Sequence, residues 1–561
     1  MAFKCKPWLR CSCVLLVVVC AVALVCLCLA TFVRARCSRG SFRRAAVAAD
    51  SKLCSEIGKS MLEQGGSAAD GAIAALLCTS VVNPQSAGIG GGSIVLVKNE
   101  TGGVTVYNFR ETVPKTFKTN LLNDCPTTFR ISTGGQWIGV PGELLGYKVI
   151  HQRHGKLPWE KLFEPTIKLA REGIPMPPFL ARFMSSPLVK NYVENSSLCE
   201  VFCNNNKTVL KEGDTLRLSI LADTLEAIAF HGVDAFYNGR IGQALIRDIK
   251  AAGGTLEMED LRSFKVQEEG AWTVPLGDTQ MHVPPPPAGG ALLAFVLQIM
   301  KGFSLTSDSQ DGEKKIQMYH QYAEALKFTN GQKKSIYDPG FKNTLPTADR
   351  LIDPSFADHI RKMITSNGTH ENSYYNNIKP PPDHLGTSHV SVLDENGMAV
   401  SATSTINQLF GGAVYSRHTG IVLNNELADF CHRTNTVKAG ERPPSSMTPV
   451  ILESKSGRII VIGGSGGSMI TSAMALSLIN RLWLGMSLKD SIAAPIIFVD
   501  SQNKLNFEPQ FDESVKKGLT ALGHKVGTWP YFFNVVNGLE KENGCIEAVS
   551  DRRKMGVSAG F

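Results

Sequence analysis

A run of 22 residues without a charged side chain, at positions 12–33, constrains this chain more than any other feature. As a helix rising about 1.5 Å per residue, it would cross the roughly 30 Å hydrocarbon core of a bilayer. A cleaved signal peptide is the alternative. However, the run exceeds the usual apolar stretch of about 7–15 residues, and no clear small-x-small cleavage site follows it. We therefore expect a retained anchor over 12–33, between a short cytoplasmic tail (1–11) and a stalk (34–50).

Two features that disagree bear on the orientation of this anchor. Three basic residues precede it and five follow it, so a positive-inside count would place the C-terminal body in the cytosol. Four Asn-x-Ser/Thr sequons, which are acceptors in secreted proteins, all lie beyond it. They begin at Asn99, Asn195, Asn206 and Asn367. Because all four lie on one side, we expect a single-pass type II plasma-membrane protein with an extracellular body.

The net charge of +8 belongs to the membrane-flanking segment and not to the body. Eight of the 58 Lys and Arg residues lie within the first 49 positions, which contain no acid, so the remainder carries 50 basic and 50 acidic side chains. A balanced body has no compositional bias toward nucleic acid, and we expect no nucleic-acid partner. With 43% hydrophobic and 19% charged residues, the chain is typical of a globular protein.

Cysteine positions agree with a body outside the cytosol. Six of the 14 cysteines lie within the first 28 residues, and the other eight lie beyond the anchor. An even number permits disulfides, although the sequence leaves their pairing open. Only Cys199 and Cys203 are close enough in sequence to suggest a small closed loop. No Cys/His spacing resembles a zinc site, so we expect neither a metal nor a cofactor.

Apolar periodicity and glycine-rich turns predict helices that flank β-hairpins. Helices are expected over 52–64, 68–82 and 469–483, with further helical patterns through much of 160–365. Hairpin strands are expected at 93–97 with 104–108 and at 388–393 with 398–403, and another strand at 458–462. This arrangement indicates a layered α/β domain with sheets between helices.

Two segments compete as the source of a catalytic nucleophile. The Gly-Gly-Ser-Gly-Gly turn at 463–467 fits the nucleophile elbow of serine hydrolases and nominates Ser465, with His524 as a nominal base. The parallel βαβ array that should precede such an elbow is missing, and a glycine turn before a helix equally provides backbone N–H donors for an anion.

The second segment is the junction between Gly386 and Thr387. Because glycine has no side chain, the Thr387 hydroxyl can approach the Gly386 carbonyl and form an ester. Hydrolysis of that ester would leave Thr387 as a new N-terminus. Its free α-amine, with a pKa near 7.7–8.0, could then act as the base for its own hydroxyl. The junction is therefore a candidate self-cleavage site.

From about residue 45 to the C-terminus, the chain resembles the gamma-glutamyltransferase family, whose members cleave themselves into a large and a small subunit. The resemblance is carried by the segments at 83–92 (Asn-Pro-Gln-Ser-Ala-Gly-Ile-Gly-Gly-Gly), 110–114 (Arg-Glu-Thr-Val-Pro), 137–143, 284–290, 386–389 (Gly-Thr-Ser-His), 401–407, 420–429, 444–447 (Pro-Ser-Ser-Met) and 463–467. The order and length of these matches make the resemblance specific.

The resemblance implies a role for each matching residue. It implies that Thr387 is the nucleophile, that Gly386 precedes the scissile bond and that Arg110 holds the substrate α-carboxylate, to which a guanidinium fork is suited. The remaining residues that it implicates are Glu426 and Asp429 for the α-ammonium, Thr405 and Asn407 beside the nucleophile and substrate, Ser445 and Ser446 for the carboxylate, and Gly466 and Gly467 for the oxyanion hole. On this interpretation Ser465 is not the nucleophile.

The resemblance also implies a fold, a reaction and a subunit division. The expected fold is the four-layer αββα arrangement of N-terminal nucleophile hydrolases, with a large subunit over 51–386 and a small catalytic subunit over 387–561. Thr387 would attack the γ-glutamyl amide of glutathione or its conjugates and pass the acyl group to water or to an amino acid or dipeptide.

Several stretches, among them 45–82 and 420–429, are most similar to the vertebrate leukotriene-cleaving type of the family, type five. At 408–412, Gln408-Leu409 and Gly411-Gly412 depart from bulkier residues common in the family. The sequence therefore does not define the width of the pocket or its preference for an acceptor. A non-catalytic ectodomain that retains the fold is the other alternative. Such a relative would be expected to lose the Gly-Thr junction or Arg110 with its acids, and this chain keeps them.

Overall fold

The structure, a computed structural model, describes residues 19–20, 37–38, 40–126, 132–341, 347–377, 385–431, 433, 436–529 and 534–561. Apart from Val19 and Cys20, the predicted anchor at 12–33 lies outside these residues, as does the predicted tail. Within the described ranges, we find no helix that is both long and apolar enough to cross a membrane.

The α-helices are α1 (Lys52–Glu63), α2 (Ala68–Val82), α3 (Glu143–His154), α4 (Trp159–Glu172), α5 (Pro178–Met184), α6 (Pro187–Glu194), α7 (Cys199–Phe202), α8 (Ser219–His231), α9 (Asp234–Tyr237), α10 (Arg240–Ala251), α11 (Met258–Ser263), α12 (Gly290–Lys301), α13 (Gly312–Asn330), α14 (Pro354–Met363), α15 (Ile470–Leu482), α16 (Leu488–Ala493) and α17 (Glu513–Ala521). Short 3-10 helices include Leu121–Asp124, Glu426–Phe430 and Gly467–Met469.

The strands are β1 (Ala46–Ala48), β2 (Gly92–Lys98), β3 (Val104–Asn108), β4 (Ile174–Pro175), β5 (Thr215–Leu216), β6 (Gln267–Gly270), β7 (Trp272–Leu276), β8 (Thr279–Val283), β9 (Ser388–Leu393), β10 (Ala399–Thr405), β11 (Tyr415–Ser416), β12 (Ile421–Val422), β13 (Val450–Ser454), β14 (Ile459–Ser465), β15 (Ile497–Val499), β16 (Leu505–Phe507), β17 (Val535–Glu542), β18 (Cys545–Val549) and β19 (Ala559–Gly560). They form two large antiparallel sheets and three two-stranded ribbons. The first sheet has the order β19-β1-β9-β10-β2-β3-β6, and the second has the order β18-β17-β14-β13-β8-β7.

The two sheets pack face to face between two layers of helices. Along β2, Ile94 and Leu96 point into an apolar cluster shared with the second sheet, whereas Val95 and Val97 point into the cluster formed with α1 and α2. Every residue of β2 is buried because both of its faces are covered. On the other side, α12, α13 and α15 cover the second sheet. The predicted αββα layering is therefore present.

The predicted hairpins and flanking helices agree with the structure to within one or two residues at most boundaries. Three strands within 267–283 were not predicted, because that stretch combines the acidic Gln-Glu-Glu-Gly run with a proline at 275. They nevertheless extend both sheets, β6 at one edge of the first and β7 with β8 at one edge of the second. Tertiary pairing thus outweighs weak local propensity here.

Four disulfides use all eight cysteines that the sequence places beyond the anchor. They join Cys37 to Cys545, Cys54 to Cys78, Cys125 to Cys431 and Cys199 to Cys203. The expected small loop at Cys199 and Cys203 is confirmed. Two of the other bonds connect residues before Gly386 with residues after Thr387.

Candidate active site

Thr387 lies at the start of β9, in the centre of the first sheet, and is almost fully buried. Its backbone has a φ of +83°, which a β-branched residue rarely adopts because of steric conflict with its own backbone. Such an outlier persists only when the surrounding structure holds it in place, and outliers of this kind concentrate at functional sites. The predicted nucleophile is therefore both buried and conformationally strained.

Gly386 is required by close packing and not only by sequence pattern. A Cβ atom at this position would lie 1.8 Å from the backbone oxygen of Asn407, and the φ of Gly386 is +151°. Its carbonyl oxygen accepts a hydrogen bond of 3.0 Å from the backbone N–H of Gly466. The carbonyl before Thr387 is thus polarised by the glycine turn that was predicted to form an oxyanion hole.

Thr405, at the end of β10, contacts the nucleophile directly. The Oγ1 atoms of Thr387 and Thr405 are 3.2 Å apart, and Thr405 Oγ1 also accepts a hydrogen bond of 2.8 Å from the N–H of Asn407. Asn407 in turn donates through Nδ2 to the carbonyl of Asn425. The Asn407 bond leaves the Thr405 hydroxyl proton available to Thr387, so Thr405 can stabilise negative charge on the Thr387 oxygen.

Arg110 follows β3 and is buried, with its guanidinium engaged on every side. It donates to the carbonyls of Pro443 (2.8 Å) and Pro444 (2.9 Å) and to Asp429 Oδ2 (2.6 Å), and its Nη1 forms an ion pair with Glu426. Burial alone would lower the pKa of Arg110, but Glu426 and Asp429 more than offset this and raise it. The predicted carboxylate-binding cation and the predicted ammonium-binding acids therefore lie together as one ionic cluster.

Carboxyl groups outnumber cations in this cluster. Burial raises the pKa of Glu426 to about 8, Arg110 opposes the rise and Asp429 adds to it. Glu111, which the sequence analysis gave no role, is completely buried beside them. Burial raises the pKa of Glu111 well above its ordinary value, and Glu426 adds to the rise.

Ser445 and Ser446 lie on the loop before β13, directly after the two proline carbonyls that Arg110 binds. The N–H of Ser445 donates to the carbonyl of Pro287, and the Ser445 hydroxyl oxygen accepts from the N–H of Met447. The proline-rich segment at 284–290 thus positions the serine pair. The segment at 284–290 has no reactive side chain, and this contact gives it a structural role in the site.

The glycine turn at 463–467 closes the other side of the site. Gly466 and Gly467 both have positive φ, at +114° and +60°, which turns the chain from β14 into α15. Ser465 is completely buried, and its hydroxyl accepts a hydrogen bond of 3.1 Å from Lys554 Nζ. The Gly466 N–H therefore lies toward the carbonyl that precedes Thr387, whereas Ser465 does not line the cavity that contains Thr387.

His524, the histidine nominated for a serine mechanism, lies elsewhere, and His389, which lies nearer to Thr387, is also engaged. His524 Nε2 lies 2.8 Å from His320 Nδ1, and His524 Nδ1 lies 2.9 Å from Lys327 Nζ, within a buried polar cluster that also contains Glu324. His389, two residues after Thr387, contacts Thr403 and Ser391, and burial lowers its pKa to about 3. Neither ring is placed to accept a proton from Ser465.

Lys554 and Asp50 are two further residues at the site that the sequence analysis missed. Lys554 Nζ donates to the carbonyl of Thr387 (2.7 Å) and to Asp50 Oδ2 (2.8 Å), and both side chains are buried. In the sequence, Lys554 closes an Asp-Arg-Arg-Lys run that is typical of an exposed turn, so no local signal distinguishes it. Lys554 therefore links the backbone of the nucleophile to Asp50 and to Ser465 of the glycine turn.

A single cavity of about 40 Å³ gathers the predicted residues. It is lined by Arg110, Thr387, Thr405, Asn407, Glu426, Asp429, Ser445, Ser446, Met447, Gly467, Ser468 and Ile470. Gly466 joins them through its bond to Gly386. The departures noted at 408–412 do not line this cavity: Gln408 accepts from the N–H of Ser132, and a Cβ at Gly411 would collide with the carbonyl of Leu423.

Comparison with known proteins gives a consistent result. A profile of the family described as gamma-glutamyltranspeptidase matches residues 54–561. The chain is 45% identical over 544 residues to the glutathione hydrolase 5 proenzyme of Rattus norvegicus, with 94% of each chain covered. It is also 45% identical over 555 residues to the protein of the same name from Homo sapiens, again with 94% of each covered.

Solved structures share the fold. A cephalosporin acylase from Bacillus halodurans superimposes with a TM-score of 0.81 at 21% identity, covering 94% of this chain and 97% of that chain. The gamma-glutamyltranspeptidase of Helicobacter pylori gives a TM-score of 0.53 at 27% identity, covering 57% of this chain and 92% of that chain. The first similarity concerns the fold alone.

Proposed function

This chain belongs to the gamma-glutamyltranspeptidase family, and from that premise we propose that it is a self-cleaving glutathione hydrolase and γ-glutamyltransferase with Thr387 as its nucleophile. The observation that carries the proposal is the single cavity that joins Thr387 to Arg110, Glu426 and Asp429. It places a hydroxyl nucleophile beside both charges needed to bind an amino-acid end group.

Self-cleavage begins with attack of Thr387 Oγ1 on the carbonyl carbon of Gly386. The Gly466 N–H, already 3.0 Å from the carbonyl oxygen, stabilises the oxyanion that develops. Collapse breaks the Gly386–Thr387 C–N bond and leaves an ester between Gly386 and the Thr387 oxygen, with the α-amine of Thr387 freed. Water then hydrolyses the ester, so that Gly386 ends in a carboxylate and Thr387 regains its hydroxyl.

Recognition of the substrate follows from the ionic cluster. The α-carboxylate of a γ-glutamyl group pairs with Arg110, Ser445 and Ser446, and its α-ammonium pairs with Glu426 and Asp429. The zwitterionic end of the substrate offers a carboxylate to Arg110 and an ammonium to the two acids. When it binds, ion pairs between protein and substrate replace the ion pairs of Arg110 with Glu426 and Asp429.

In the reaction, the α-amine of Thr387 takes the proton of its own hydroxyl as Oγ1 attacks the γ-carbonyl. Thr405 and the N–H groups of Gly466 and Gly467 stabilise the negative charge. Transfer of the proton to the leaving amine releases cysteinylglycine and leaves a γ-glutamyl ester on Thr387. Water completes hydrolysis, and the amine of an acceptor amino acid or dipeptide completes transfer.

The activity is tested with purified protein and glutathione, by measuring the release of glutamate and cysteinylglycine. A chromogenic γ-glutamyl anilide should also be cleaved, whereas the matching α-glutamyl anilide should not, because its carboxylate and ammonium would be misplaced relative to the scissile bond. Equal cleavage of the two anilides would rule out the proposed function. So would a protein that cleaves neither glutathione nor the γ-glutamyl anilide.

Glutathione conjugates, including the leukotriene conjugate, are proposed as substrates beside glutathione itself. This rests on the resemblance of several stretches to the leukotriene-cleaving type and on the 45% identity to glutathione hydrolase 5 proenzymes. The test compares kcat/KM for such a conjugate with that for glutathione. An enzyme that cleaves glutathione but no such conjugate would contradict the proposal.

The proposed location is the plasma membrane, with residues 12–33 as a type II anchor and the two-subunit body outside the cell. Asn195, Asn206 and Asn367 are exposed, and Asn99 lies in the partly exposed turn between β2 and β3, so each can accept a glycan. Digestion with peptide-N-glycosidase should lower the apparent mass. An unchanged mass in cells that glycosylate a control protein would contradict this orientation.

A further inference from the structure

The disulfide between Cys125 and Cys431 lies close to the acids of the active site. Cys431 directly follows the 3-10 helix Glu426–Phe430, and it is two residues from Asp429. Cys125 directly follows the 3-10 helix Leu121–Asp124, on the segment that leads away from Arg110. The bond therefore joins the segment that carries the cation to the segment that carries the acids.

The helix that carries Glu426 and Asp429 is fixed at its start by hydrogen bonds of the buried Asn424 and Asn425, and the disulfide lies at its other end. The helix consists of a single 3-10 turn, a structure with weaker hydrogen-bond geometry than an α-helix. Its apolar residues pack in a small cluster that is separate from the three larger cores. The buried members are Val113, Leu121, Trp137, Leu427, Ala428, Phe430 and Cys431. A cluster of this size buries limited apolar area, so the covalent link adds to the order of the helix at the end that follows Asp429.

The same bond also crosses the proposed cleavage point. Arg110 and Cys125 precede Gly386, whereas Asp429 and Cys431 follow Thr387. After cleavage, the 2.6 Å contact between Arg110 and Asp429 is a contact between two polypeptides. The disulfide holds those polypeptides together within a few residues of that contact.

We propose that the Cys125–Cys431 disulfide is a positioning element of the γ-glutamyl site, which holds Glu426 and Asp429 within reach of Arg110 across the cleaved junction. This inference rests on the proposed function. The disulfide touches no reacting atom, and the acids bind the substrate's amino-acid end away from the scissile bond. Its loss should therefore weaken substrate binding in the ground state and the transition state alike, which raises KM and leaves kcat nearly unchanged.

The chain provides a matched control in Cys37–Cys545. This bond also joins the two subunits, but it lies at the edge of the second sheet, beside the bridge between Phe42 and Ile546, and neither cysteine lines the active-site cavity. Removing either disulfide leaves the other as a covalent link. The two variants thus share the same number of intersubunit bonds and differ in position.

The experiment measures KM and kcat of three proteins, using a γ-glutamyl anilide because this substrate carries no thiol. The proteins are the wild type, Cys125→Ser/Cys431→Ser and Cys37→Ser/Cys545→Ser. We expect KM to rise at least tenfold in the Cys125/Cys431 variant, with kcat within threefold of wild type, and KM to stay within twofold in the control variant. An unchanged KM in the first variant, or an equal rise in both, overturns the inference.

A second measurement covers the case in which the first variant fails to fold. Folded wild-type enzyme is treated with graded dithiothreitol, and the reduced fraction of each disulfide is read by alkylation and peptide mass spectrometry. KM should rise with reduction at Cys125 and Cys431 and not with reduction at Cys37. A constant KM with Cys125 and Cys431 fully alkylated overturns the inference alone, whereas wild-type protein that cleaves no γ-glutamyl substrate overturns both the inference and the proposed function.

Discussion

The backbone N–H of Gly466 donates a 3.0 Å hydrogen bond to the carbonyl of Gly386, the residue before the nucleophile. The same glycine turn is proposed to stabilise the oxyanion of a bound substrate. The scissile carbonyl of the uncut chain therefore occupies the position that a substrate carbonyl would need. One set of donors serves both reactions in succession.

The substitution Gly386→Ala should block self-cleavage. A Cβ atom here would lie 1.8 Å from the oxygen of Asn407, so the carbonyl must move out of reach of Thr387 or Gly466. We expect a single full-length band on a reducing denaturing gel and no γ-glutamyl hydrolysis. Gly270→Ala is the matched control, because a Cβ at Gly270 meets nothing within 4 Å, and it should be cut normally. A fully cut Gly386→Ala protein would show that this packing is unimportant.

Substitutions at Thr387 and Ser465 separate the two candidate nucleophiles. Thr387→Ala should remain uncut and inactive, whereas Thr387→Ser should be cut, more slowly, because a hydroxyl and the freed amine survive. Ser465→Ala should be cut into residues 1–386 and 387–561, with a small subunit that begins Thr-Ser-His-Val. The samples must be reduced before electrophoresis because two disulfides join the subunits. An active, cut Thr387→Ala enzyme beside an inactive Ser465→Ala enzyme would instead support a serine hydrolase.

Arg110→Lys should impair catalysis far more than its retained charge suggests. The arginine binds two carboxylates and two carbonyls through Nε, Nη1 and Nη2, and a lysine ammonium cannot reproduce that planar geometry. Each lost charge-assisted bond costs about 1.5–3 kcal/mol, so kcat/KM should fall by a factor of about 10 to 150 per bond. The reducing gel should still show two subunits. Wild-type kinetics in this variant would remove Arg110 from the site.

The pH dependence of stability should depend on Glu143. This buried carboxyl accepts hydrogen bonds from Ser93, Ser404 and Tyr147, and burial raises its pKa from 4.5 to about 7. Because the folded state binds the proton more tightly, its contribution to stability is present below pH 4.5. About 3 kcal/mol is then lost as the pH rises to 7.

The substitution Glu143→Gln removes this titration and tests whether stability falls as the pH rises. Relative to wild type, the variant should gain stability between pH 5 and pH 7.5, as measured by the midpoint of thermal unfolding at each pH. Glu160→Gln, at an exposed position on α4, controls for the loss of one negative charge. A Glu143→Gln midpoint that falls relative to wild type over this range would contradict the assignment.

Lys554→Met should destabilise the protein and disturb cleavage together. It removes the ammonium that holds the Thr387 carbonyl and leaves the Asp50 carboxylate buried without its cation, which costs about 3–5 kcal/mol. The double substitution Asp50→Asn/Lys554→Met should recover part of the unfolding midpoint but not the rate of cleavage. A single variant with unchanged midpoint and cleavage would show that the pair is dispensable.

The sequence predicted those parts of the molecule in which local pattern and tertiary structure agree. The hairpins around β2 and β9 have alternating or fully apolar residues between glycine turns, and they occur as expected. The strand pair β7 and β8 was missed because its residues, including Pro275, favour pairing only in the context of β13. The site residues came from resemblance, since neither Arg110 nor Glu426 is distinctive alone.

Contacts between distant segments could not be predicted from the sequence. The bond from Lys554 to Asp50 spans 504 positions, and the disulfide from Cys125 to Cys431 spans 306. Neither has a local signature, because an Arg-Arg-Lys turn and an isolated cysteine look alike whether buried or exposed. The contact of Lys554 with Asp50 depends on the sheet order, which places β1 and β19 beside the nucleophile strand β9.

Strand β1, which precedes the Gly386–Thr387 junction, lies between β9 and β19, which follow it, with Ala46 opposite both Leu393 and Gly560. Cleavage at this junction would leave a strand of one polypeptide within the sheet of the other. Exchange of polypeptides between two cut molecules would therefore require unfolding. Two differently tagged preparations, once cut, should therefore form no hybrids on mixing. A cell that expresses an intact and a defective allele would therefore contain separate populations of intact and defective enzyme. A functional subunit from one molecule would not replace a defective subunit in another.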